Sequence, residues 1–118
     1  MKSYNKQIVA SQLLNANYNT PAIEMYGMFG FNITAIITGT PTGSIALQSS
    51  VDEFKPQQTG YEPTNWNTID NSRFDVSSSG TVTWNYNGEF ATYVRVTYRD
   101  DSSGASTATM TIRSNAKG

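Results

Sequence analysis

Few side chains in this chain could do chemistry, and the absent ones narrow the field first. There is no histidine and no cysteine. That removes the group most used for proton transfer near neutral pH, the thiolate nucleophile, the histidine-based triad and the nitrogen–sulfur zinc site. No glycine loop of phosphate-cradling spacing occurs. Nine carboxylates remain, two pairs of them adjacent in sequence: Asp52-Glu53 and Asp100-Asp101. A glycosidase needs two carboxyls facing across a groove, one buried enough to keep its proton. Asp52 or Glu53 opposite Glu62 or Asp70 would be the way to supply them. Asp100 and Asp101, in a Ser/Gly turn, could hold calcium with hydroxyl and backbone oxygens, but the plainer reading is an acidic turn at a strand end. The expectation is no enzyme, no metal and no cofactor.

The aromatic and arginine residues point to recognition instead. Tyr61, Trp66, Phe74, Trp84, Tyr86, Phe90, Tyr93 and Tyr98 gather in the second half of the chain. Tyr and Trp join a large apolar face to a hydrogen-bonding tip, which suits sugar stacking and protein contact alike. Trp84 falls inside an alternating run and reads as core. Tyr61 lies in the longest irregular stretch, residues 52–64, and Trp66 follows it, so these two are the aromatic candidates for ligand or partner contact. For Trp66 the competing reading is packing of the loop onto the domain. Arg95 and Arg113 are expected to share the polar face of a hairpin made by the last two strands. Arginines placed there either keep a strand face solvated and discourage edge pairing or form an assembly contact.

These residues must be held by one small domain, since 118 residues do not accommodate two ordinary ones. Charged residues are 14% of the chain, against roughly 25% in an average soluble domain. With a net charge of −1 and no cluster of Lys and Arg, a nucleic-acid partner is not expected. Near-zero net charge does little to keep copies apart, so self-association is tolerated. The polar N-terminus, residues 1–6, lacks the apolar run of a signal peptide, and the apolar stretches at 28–31 and 35–37 are too short to span a bilayer. The expectation is a soluble, cytosolically made protein with no membrane partner. Asn32-Ile33-Thr34 matches a glycosylation sequon but falls inside a predicted strand and is read as chance.

The dominant hydrophobic period is two. It is plainest in Phe29, Phe31, Ile33, Ala35 and Ile37, and recurs in Ile45, Leu47, Ser49, Val51; in Val82, Trp84, Tyr86; in Val94, Val96, Tyr98; and in Ala108, Met110, Ile112. Shorter strand candidates are residues 7–14, 22–26, 65–69 and 73–77, and no segment offers a convincing helix. Turn residues separate the runs. Residues 38–43 (Thr-Gly-Thr-Pro-Thr-Gly) and residues 100–104 are read as hairpin loops, and Asn87-Gly88 as a tight turn. Eight or nine regularly spaced strands predict an all-β, antiparallel, jelly-roll-like β-sandwich over residues 21–118. Residues 1–20 form a separate segment that could reach a neighbouring subunit as an arm.

The order of these pieces resembles the small β-sandwich proteins of bacteriophage virions. The resemblance is carried by the Thr-Gly-Thr-Pro-Thr-Gly turn, then Ser44-Ile45-Ala46-Leu47-Gln48-Ser49-Ser50-Val51-Asp52, a Trp in a loop, and Gly80-Thr81-Val82-Thr83-Trp84-Asn85. It continues through Tyr93-Val94-Arg95-Val96-Thr97-Tyr98 to a Thr-rich last strand closing on Ala116-Lys117-Gly118. It covers roughly residues 35–118 and is a pattern of strands and turns, without a catalytic signature. What it implies is a late structural component of the virion, of the capsid-decoration, collar, vertex or fibre type, made in the host cytoplasm. Such a protein forms homo-oligomers and touches other virion proteins. The alternative is a carbohydrate-binding or receptor-binding domain using Tyr61, Trp66 and the Asp100-Asp101 loop on a surface glycan.

Overall fold

Alternating apolar residues need a facing apolar surface, and here the rows from two sheets meet each other. The computed structural model describes residues 3–25, 30–52, 62–87 and 92–117. Among these there is no helix and there are ten strands. They are β1 (Ser3–Leu13), β2 (Tyr18–Asn19), β3 (Ile23–Glu24), β4 (Gly30–Thr38), β5 (Gly43–Ser50), β6 (Asn67–Thr68), β7 (Phe74–Val76), β8 (Gly80–Asn87), β9 (Tyr93–Asp100) and β10 (Thr109–Lys117). One sheet has the order β1-β10-β4-β8. The other has β2-β9-β5-β6, with β3 also on β9 and β7 also on β5. Every pairing is antiparallel.

Strands β2 and β3 share one side of β9, and β6 and β7 share one side of β5. The ten segments therefore fill eight places, four in each sheet. Every connection between places crosses from one sheet to the other, except that from β5 to β6. This is the jelly-roll arrangement expected from the strand spacing.

The crossing corrects two local expectations. Residues 38–43 do not close a hairpin, because β4 pairs with β10 and β8 while β5 pairs with β9. Residues 100–104 do not join the last two strands as a hairpin, because β9 and β10 lie in different sheets. The tight turn expected at Asn87-Gly88 falls partly on residue 88, outside the described residues; the strands on either side of it, β8 and β9, are in different sheets. Turn residues specify a chain reversal. They do not specify whether the returning strand lands about 5 Å away in the same sheet or about 10 Å away across the core.

The core is the space between the sheets. Ile33, Ala35 and Ile37 of β4, Met110 and Ile112 of β10, Ile45 and Leu47 of β5, and Val94, Val96 and Tyr98 of β9 are buried there. Trp84 is buried with them, as its place in the alternation predicts, and its indole N–H donates to the Ser72 carbonyl at 2.8 Å. Val51, the last member of its run, is 76% exposed, because β5 ends at Ser50. Phe29 lies outside the described residues. Residues 1–20 contribute the edge strand β1, which pairs with β10 from Ser3 to Leu13, together with β2.

Both margins of the second sheet are interrupted by side chains that replace backbone partners. Between β2 and β3, Thr20 N–H donates to the Val96 carbonyl at 2.9 Å, and the Thr20 hydroxyl accepts from Val96 N–H at 3.0 Å. Pro21, which has no N–H, follows and breaks the strand. Between β6 and β7, the buried Ser72 hydroxyl accepts from Leu47 N–H at 3.1 Å and donates to the Ile69 carbonyl at 2.6 Å. Asn71 beside it takes a φ of 62°. The chain thus leaves and rejoins β5 without orphaning its amides.

Candidate functional site

Two of the contact residues singled out from the sequence meet on the outer face of the second sheet. Since Val94, Val96 and Tyr98 face the core, Arg95 faces away from it. Arg95 stands opposite Gln48 on β5, and Gln48 opposite Thr68 on β6. Arg95 Nε donates to Gln48 Oε1 at 2.8 Å, and Gln48 Nε2 lies 3.4 Å from Thr68 Oγ1. The Arg95 guanidinium carbon sits 4.3 Å from the centroid of the Trp66 ring, a cation–π stack. Trp66 donates its indole N–H to the Pro63 carbonyl at 2.9 Å. Burial, joined by the positive charge of Arg99, holds the Arg95 guanidinium below its ordinary range, and Glu62 opposes the shift. It stays a cation at any physiological pH.

Asp52, at one end of the 53–61 segment that lies outside the described residues, is bonded to Thr64 and Asn65 at the other. Asp52 Oδ2 accepts from the backbone N–H of Thr64 at 2.8 Å and of Asn65 at 3.1 Å, while Oδ1 accepts from Asn65 Nδ2 at 2.9 Å. These bonds, led by that from the Asn65 side chain, lower the Asp52 pKa. A glycosidase acid would need the opposite shift. Its adjacent partner Glu53 and the aromatic candidate Tyr61 lie outside the described residues. Among the described residues, no group of three or more acidic side chains converges in a way that could hold a metal ion.

The Asp100 carboxylate is engaged within its own turn. It accepts from the Ser102 hydroxyl at 2.6 Å, Ser102 N–H at 3.2 Å, Gly104 N–H at 3.3 Å and the Tyr98 hydroxyl at 3.3 Å. The Ser102 hydroxyl leads in lowering its pKa. Asp101 is exposed, and its N–H donates to the Thr42 carbonyl at 2.8 Å, joining the two loops at this end of the sandwich. Burial and the Asp100 charge push the Tyr98 phenol up to about 12.

Arg113 is not brought to Arg95. It lies on β10, opposite Thr34 and Gln7 in the other sheet, and is exposed among neutral polar residues. The shared hairpin face expected for the two arginines does not exist, because β9 and β10 belong to different sheets. Asn32 of the sequon lies on the same outer face as Arg113, its Nδ2 donating to Asn85 Oδ1 across β4 and β8. Gln48 and Pro63 were not visible as site residues in the sequence. Gln48 is the one long polar side chain in an otherwise small or apolar β5, which is the signal that could have found it.

No family model matches the chain, and no curated protein matches it. Among solved structures, it is similar to the SPBc2 prophage-derived protein YomS, with a TM-score of 0.57 at 9% identity over 98% of this chain and 92% of that one. It is also similar to the Tobacco streak virus coat protein, with a TM-score of 0.50 at 9% identity over 98% of this chain and 86% of that one. At such identities the likeness is one of fold.

Proposed function

We propose that this chain is a structural component of a bacteriophage virion, attached to the head or its vertices and acting through contacts with copies of itself and with other virion proteins. The observation that carries the reading is the complete jelly-roll sandwich, with eight strand places and alternate-sheet connections, in a chain of nearly neutral charge. The two fold neighbours support it, one derived from a prophage and the other a viral coat protein. So does the chemistry of the site: its polar side chains are satisfied by one another in a surface arrangement suited to docking, not to proton transfer. The proposed role is therefore binding, without catalysis.

A glycan-binding role draws less support, because Trp66, its stacking residue, already holds the Arg95 guanidinium against its ring and gives its N–H to Pro63. A sugar would have to compete with both. The deciding experiment is to purify particles from cells expressing the chain in its native genetic setting and measure its copy number by mass spectrometry. The expected result is a fixed, repeatable stoichiometry against the major capsid protein. Absence from washed particles, with retention on a glycan array, would move the assignment to the second reading.

A further inference from the structure

A sandwich of two open sheets has four lateral margins, and each is a template for adding a strand unless something blunts it. Three margins here are blunted. On β1 the pairing with β10 shifts register between Gln7 and Val9 and again between Val9 and Gln12, where Ser11 takes a φ of 49°. The β2–β3 margin is broken at Thr20-Pro21, and β3 ends in Glu24. The β6–β7 margin is broken at Ser72, and β7 carries Asp75.

The fourth margin, β8, has none of these devices. It runs eight residues, Gly-Thr-Val-Thr-Trp-Asn-Tyr-Asn, with no proline and no charge. Its register with β4 is continuous from Gly80 to Asn87, and among the described residues no strand pairs with its other side. Alternate N–H and C=O groups of a strand paired on one side point outward. Beside it, Phe74 is 43% exposed, although it stands opposite the buried Ile45 and packs against Trp84 with ring centroids 6.2 Å apart. Ile36, opposite Thr81, is also exposed.

We infer that β8 is the self-association edge, pairing antiparallel with β8 of a second copy about a twofold axis and joining two four-stranded sheets into one. A second copy is favoured over a foreign strand by charge. On a twofold axis identical side chains approach each other, so an isologous strand pair tolerates no unpaired charge near its centre. β8 is the long edge strand that meets this condition with a continuous register, whereas the register of β1 shifts twice. The copy also covers Phe74, an apolar residue that the domain leaves at that margin. The inference deepens the virion reading, since it supplies the self-contact that reading calls for.

Sedimentation velocity of the full chain tests it. The wild-type chain is expected to run at twice the monomer mass at micromolar concentration. Thr83→Lys places two like charges near the axis and is expected to weaken the dimer on the order of tenfold or more. Thr83→Glu does the same, and an equimolar mixture of the two variants restores the dimer, which misfolded chains would not do. Thr107→Lys, on an exposed loop position, controls for added charge and leaves the dimer intact. A monomeric wild-type chain, a dimer indifferent to both Thr83 variants, or a mixture that stays monomeric overturns the inference. The virion reading stands or falls separately on particle stoichiometry. A monomer found in particles removes only the edge pairing, and a dimer absent from particles removes only the location.

Discussion

Asp52 and Arg95 show how single side chains close this surface. Asp52 gathers three hydrogen bonds from Thr64 and Asn65, and Arg95 is gripped between Gln48 and Trp66. The Asp52 clamp on Thr64 and Asn65 is pH-dependent in a definite direction. Its pKa lies below the ordinary 3.8 in the fold, so the unfolded chain takes up the proton more readily. The stability it contributes is complete above about pH 4 and is lost as pH falls through the lowered folded value. Asp100 carries the same sign. Urea unfolding followed from neutral to acid pH should therefore show a shallower acid loss for Asp52→Asn than for the wild type. Identical acid slopes would mean that the clamp contributes nothing.

Broken strands are the distinctive elements. An ordinary central strand such as β5 needs neighbours along its whole length, yet β6 covers only Gln48 and Ser49, and β7 only Gly43 to Ile45. Ser72 and the Ile69 N–H, which donates to the Leu47 carbonyl at 2.9 Å, bridge the gap. Replacing Ser72 with Ala leaves the Leu47 N–H buried without its acceptor, which should cost about 1–3 kcal/mol. The measurement is the denaturant midpoint at unchanged slope. A loss under about 0.5 kcal/mol would place that amide in contact with water.

Across the molecule, the closeness of the strands and the loops that carry the chain between sheets set the tolerances. At Gly43, the first residue of β5, a methyl group would collide with the Arg99 carbonyl and come within 2.8 Å of the Tyr98 hydroxyl. Gly80, the first residue of β8, has open space around it. Gly43→Ala should therefore destabilise by about 1–3 kcal/mol through overpacking, while Gly80→Ala stays within about 0.5 kcal/mol of the wild type. Thermal melts of the two variants side by side make the comparison, and equal effects would contradict the tight approach of β5 to β9.

Period-two spacing reported the strands and their buried faces, because alternation of side chains is a property of the extended backbone alone. Ile33, Ala35, Ile37, Val94, Val96, Met110 and Ile112 were legible as core for that reason. Their number and spacing also announced a sandwich. Tertiary structure alone settled which strands pair. A turn such as residues 38–43 reads alike whether the next strand returns beside it or crosses the core, and the choice belongs to the other strands competing for the same edges. The same holds for the surface. Trp66 and Arg95 were each visible as candidates, but their stacking, and the separation of Arg95 from Arg113, follow from sheet membership that no local run of residues encodes.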